Sequence, residues 1–142
     1  MKNIYFATLL LCSAVLHVQC SKDILKRYEK RVLGTWRIVD INSTGIGGNS
    51  SYLPFGDGTI TFNEDRSLIF RPQSGEVFNG HWDIDKDWED DDERRTLLIT
   101  AVNFTGQQVL TEEYEQIKFR STDHFVGSIS TGFESYVTHF RR

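Results

Sequence analysis

The densest group of side chains that could do chemistry is the acidic run from Asp83 to Glu93. Asp83, Asp85 and Asp87 alternate as the oxygen ligands of a calcium loop do. Such a loop also needs Gly at its sixth position and Glu at its twelfth. Trp88 and Arg94 occupy those places here. The run therefore reads as a solvated hairpin tip over residues 85–93, with Asp83 and Asp85 pointing outward. Histidines are few. His17 sits in an N-terminal apolar run, and His81, His124 and His139 fall in three separate predicted strands, next to inward positions rather than on them. No metal site is expected from them. A Gly-x-Ser-x-Gly elbow is absent, and Gly45-Ile46-Gly47-Gly48 lacks the Lys-Ser/Thr that completes a phosphate loop. Neither an enzyme nor a cofactor is expected. The sequons at Asn42, Asn49 and Asn103 are explained as turn chemistry.

The two cysteines, Cys12 and Cys20, both belong to the N-terminus. Lys2 is the only charge among residues 1–20, and an apolar run extends from Ile4 to Val18. A basic start and a short apolar stretch describe an export signal, too short for the ~20 residues of a spanning helix. Cys20-Ser21-Lys22-Asp23 closes it. This junction resembles a bacterial lipoprotein signal, which implies acylation at Cys20 and a membrane anchor. Gln19 stands where such signals carry a small residue, so ordinary cleavage and secretion is the alternative. Removing the signal leaves about 122 residues, with either one acylated cysteine or none, and a net charge near −5 in place of −4. An acidic chain is a poor partner for nucleic acid.

The body must then hold together by its core. With 39% hydrophobic and 13% aromatic residues in 142, it is a single globular domain of ordinary size. Residues 21–32 form a helical lead-in, with Ile24, Leu25, Tyr28 and Val32 on one face. From residue 33 the period is two. Strands are expected at 34–41, 59–62, 67–71, 76–84, 95–102, 113–120, 124–129 and 133–140, with a long Gly/Ser/Asn loop at 42–58. Eight short strands with short links predict an all-β, antiparallel, up-and-down barrel.

Gly34-Thr35-Trp36 after a short helix resembles the entrance of the lipocalin fold. Ile60-Thr61-Phe62-Asn63 with Asp65 and Leu68 is similar to the second hairpin of lipocalin-like domains in bacterial (Bacteroidota-type) lipoproteins. Gly80-His81-Trp82 with Ile84, followed by Leu97-Leu98-Ile99, is similar to their central pair. The resemblance implies a lipocalin-like barrel over residues 33–142, exported to the cell envelope and anchored at the outer membrane. The inward residues Trp36, Ile38, Phe62, Phe70, Trp82, Phe119, Tyr136 and Phe140 then line a pocket for a small apolar ligand or fill a core. In the second case the protein, a monomer in either, is an envelope interaction or structural protein acting through its loops.

Overall fold

The computed structural model describes residues 28–45, 53–89, 92–131 and 134–142, with side chains left aside at 87–89, 92 and 93. The export signal, Cys20 and most of the helical lead-in lie outside the described residues. The chain divides into two compact units, residues 1–31 and 32–142. Of the first, residues 28–31 are described, and they are helical.

The second unit is all β. Its strands are β1 (Gly34–Gly45), β2 (Thr59–Phe62), β3 (Ser67–Arg71), β4 (Phe78–Glu89), β5 (Asp92–Asn103), β6 (Gln108–Tyr114), β7 (Gln116–Phe119), β8 (His124–Thr131) and β9 (Glu134–Arg141). All pairings are antiparallel, in the order β6-β5-β4-β3-β2-β1-β9-β8-β7. The sheet curls until β7 lies against β5 as well as β8, giving a nearly closed barrel.

Three expectations need correction. Among the described residues nine strands form rather than eight, because the stretch 108–119 breaks at Glu115: β6 pairs with β5 and β7 with β8. Residues 85–89 and 92–93 are not a hairpin loop but ladder, since Asp85 to Glu89 pair with Thr96 to Asp92. Backbone hydrogen bonds extend these strands whatever the side-chain charge, provided the charges face water. Likewise Asn42 to Gly45 continue β1, paired with Val137 to Glu134, so the first loop is shorter than 42–58. β1 reaches both neighbours by a bulge: the register to β9 skips a residue between Ile38 and Asp40. The extra residue, Val39, is left exposed and the strand bends there.

Inward residues alternate as the pattern requires, and the interior is dense with rings. At the end of the barrel near Gly34, Phe125 stacks on Phe140 with centroids 4.3 Å apart, and Trp36 meets Phe125 edge-on at 4.7 Å. Trp36 donates its indole N–H to the Val32 carbonyl at 2.6 Å, and the Arg142 guanidinium covers its ring at 4.3 Å. Phe62 meets Trp82 edge-on at 5.6 Å, and the Trp82 indole donates to the Asn63 carbonyl, tying the β2–β3 turn to β4. Towards the opposite end, Phe55 descends from the loop before β2 onto Phe70 at 4.8 Å. Two inward glycines make this density possible. A Cβ at Gly80 would sit 1.8 Å from the Thr100 carbonyl oxygen, and one at Gly127 would sit 2.4 Å from the Tyr114 ring.

Candidate functional site

The break at Glu115 leaves the barrel wall split along half its height. Below it, β7 and β8 pair from Gln116–Ser128 to Phe119–Phe125. Above it, β6 is laddered to β5 alone, and the upper part of β8, Ile129 to Thr131, is laddered to β9 alone. Two free strand edges thus flank a cleft of about 410 Å³. Leu53 and Pro54, from the loop that carries Phe55, cover its rim, and Ile129 adds apolar wall. Glu112, Glu113 and Glu115 supply the polar lining from β6, with Ser130 and Thr131 opposite.

Glu112 is the unusual member. It is an inward residue on β6 and only 5% exposed. Its Oε2 accepts a 2.9 Å hydrogen bond from the Tyr114 hydroxyl two residues along the same face. Its Oε1 is buried with no hydrogen-bond partner among the described residues, and the buried Thr138 hydroxyl on β9 stands by the Tyr114 phenol. Burial raises the Glu112 carboxyl to about 7; the Tyr114 hydrogen bond, and less strongly the approach of the Phe55 backbone N–H, offset part of this. Burial, followed by the Glu112 charge, pushes the fully enclosed Tyr114 phenol well above its ordinary value. An isolated carboxylate is costly to hold in such surroundings. Glu112 thus joins the lining of the cleft with a buried oxygen that has no hydrogen-bond partner among the described residues.

The eight inward residues read from the sequence lie elsewhere. Trp36, Ile38, Phe62, Phe70, Trp82, Tyr136 and Phe140 are buried, and Phe119 is half-buried, 6.3 Å from Trp36. None of them lines the cleft, or a second concavity of about 410 Å³ between the 72–77 and 104–107 turns. Trp36 meets Phe119 and Phe62 meets Trp82, while Phe70 and Phe140 meet other rings of the interior. Sequence reasoning missed Glu112, Tyr114 and Phe55. Leu110-x-Glu112-x-Tyr114 does alternate, but its middle member is a carboxylate, while the outward-facing Val109 is apolar and exposed. The apolar pattern thus breaks at Glu112 and Val109 on this strand. Phe55 was findable as the one aromatic between the Pro54 and Gly56 breakers of a polar loop.

Among the histidines, two meet. His124 Nε2 lies 3.2 Å from His139 Nδ1, and His139 Nε2 lies 3.1 Å from the Asn42 amide. Partial burial, then the charges of Arg141 and His139, hold His124 below the ordinary histidine value. His81 is exposed on β4, apart from them. No group of three His, Cys, Asp or Glu is placed to hold a metal ion among the described residues. Asp83 faces outward and pairs with Arg66 of the β2–β3 turn. Asn103 closes its own turn, its Oδ1 accepting from the Thr105 and Gly106 backbone at 2.9 and 3.1 Å.

No family model matches the chain, and no match to it is found among the curated proteins or the solved structures.

Proposed function

We propose that this chain is an exported, lipid-anchored, lipocalin-like barrel of the cell envelope that binds a small molecule, and that the molecule enters through the split wall between β6 and β8. It is a binding protein rather than an enzyme. The observation that carries this reading is the contrast between axis and cleft. The axis is occupied by large rings in mutual contact. The cleft has a volume in the range of small-molecule sites and a buried carboxyl with one free oxygen. Native mass spectrometry of protein extracted gently from its own membrane is the direct test. A bound small molecule, lost when Ile129→Trp fills the cleft, is the expected result. Protein free of adducts, with no response of the Leu53 or Ile129 signals to any compound in a small-molecule screen, would overturn it.

A second reading keeps the same barrel but gives it no small ligand, so that it acts through its loops as an envelope interaction protein. The filled axis favours it. Co-purification of an envelope component with the Ile129→Trp variant as well as the parent would select this reading. The anchor is tested separately. Cys20→Ala should move the protein from the membrane to the soluble fraction, and unchanged membrane association would rule out acylation there.

A further inference from the structure

We propose that the β6–β8 cleft selects a small organic cation, an ammonium head on a short apolar body, and that Glu112 is the residue that reads the head. The proposal rests on the cleft being the ligand site.

Three independent features converge on that chemistry. The first is charge. Among the described residues the lining includes Glu112, Glu113 and Glu115 and no Lys, Arg or His. The second is shape and polarity. Leu53, Pro54 and Ile129 form an apolar rim, suited to a body of a few carbons or one ring rather than to a hydrated metal ion. The third is the open hydrogen-bonding position. Oε1 of Glu112 is enclosed and unpartnered among the described residues, while Oε2 is already held by Tyr114. An ammonium donor supplies the partner and the neutralising charge together, and such charge-assisted bonds are about twice as strong as neutral ones. A neutral donor would supply only the first, and an anion would meet three carboxylates.

The groups facing Glu112 make its response to pH simple. Tyr114 on β6 keeps its proton, the Phe55 N–H is neutral, and Ile99 is its neighbour on β5. Glu113 and Glu115 stand at the rim. Selection for the cation therefore develops as Glu112 ionises, near pH 7.

The test is a chemical-shift titration of the full chain with benzylammonium, benzyl alcohol and benzoate, read at Leu53 and Ile129 and at the Glu112 carboxyl carbon. At pH 8 benzylammonium should bind at least about tenfold more tightly than benzyl alcohol, with benzoate weakest. At pH 5.5 the preference should fall to about twofold or less, following the Glu112 carboxyl signal. Glu112→Gln keeps an acceptor for Tyr114 and should abolish the preference at pH 8. Equal binding of ammonium and alcohol at pH 8 would overturn the cation reading while leaving the cleft as a ligand site. Silence at Leu53 and Ile129 with all three probes would instead overturn the cleft itself. A preference that survives Glu112→Gln would assign the head to the rim and remove Glu112 from the role. Should that variant not fold, the parent's pH profile decides, and a flat preference across pH 5.5–8 overturns the proposal.

Discussion

The two halves of the barrel seam share β8 and β9, take β7 below and β6 above as the third strand, and differ in almost every physical respect. In the lower half β7 is laddered to β8, Phe125 stacks on Phe140, Trp36 closes against both β8 and Val32, and Arg142 lies over the indole. Two residues higher on the same inward columns, Phe125 gives way to Gly127 and Phe140 to Thr138. Tyr114 fills the space that Gly127 leaves, Glu112 stands above it, and the ladder stops. Apolar burial and ring contact are spent on the sealed half. The split half holds the buried carboxyl, the buried Thr138 hydroxyl and the cleft. Glu112 and Thr138 mark the split half as the more polar one, although Arg95 on β5 is buried as well.

The largest expected effect lies in the sealed half. Trp36→Ala removes a fully buried ring together with its hydrogen bond to Val32, and should cost about 3–5 kcal/mol in chemical denaturation. A loss below about 1 kcal/mol would mean that the lower end is not what holds the barrel shut.

Next comes the pH dependence of the split half. Glu112 has an unfolded value of 4.5 and a folded value raised to about 7. Between those values the folded state holds a proton that the unfolded state has released, so stability falls as pH rises. The contribution is fully present below pH 4.5 and is lost as pH passes 7, a difference of about 3 kcal/mol. Glu112→Gln should flatten this slope, matching the parent near pH 4.5 and exceeding it at pH 8. Urea unfolding at the two pH values checks it. A parallel slope in both proteins would place the titration elsewhere and weaken the contrast between the halves.

The boundary between the halves is probed by Gly127→Ala. The new methyl meets the ring carbons of Tyr114, so a loss of about 1–3 kcal/mol is expected. Tyr114→Ala removes the obstacle. The double variant should therefore be more stable than the sum of the two single losses implies, by thermal unfolding of all four proteins. Strict additivity would show that the strands shift apart freely here, and that the seam is already loose at Gly127.

What was legible in the sequence divides along the same line. β2 and β3 end where alternation and turn residues place them, because Thr59–Phe62 and Ser67–Arg71 each have one apolar face and a short turn between. The inward rings Trp36, Phe62, Phe70 and Trp82 follow from parity alone. The split half was not legible. Glu112 is a carboxylate on an inward position and Val109 a hydrophobe on an outward one, so a reading that places apolar residues inside misses these two on β6. Phe55 belongs to a loop, where parity has no meaning. The break at Glu115 leaves no local signal, since it reflects which partner each half of the stretch finds in space.

The smallest effect concerns the strap on the sealed half. Arg142 covers the Trp36 ring, donates from Nη2 to the Leu33 carbonyl at 2.6 Å, and its own backbone N–H reaches the Asp123 carbonyl at 3.1 Å. Its side chain is exposed, so solvent competes for each interaction, and Arg142→Ala should cost only about 0.5–1 kcal/mol. The informative variant is Arg142→Lys. Lysine keeps the charge but not the planar fork that can lie flat on an indole while one nitrogen reaches a carbonyl. If the strap works by stacking, lysine should lose most of what alanine loses; if it works by charge alone, lysine should lose nothing. Indole fluorescence of the Trp82→Phe and Trp88→Phe background, which leaves Trp36 as the sole reporter, separates the two. A red shift on Arg142→Lys at unchanged stability would show the ring uncovered without the barrel loosening, so that the sealed half owes its strength to Phe125 and Phe140 beneath the indole rather than to the strap above it.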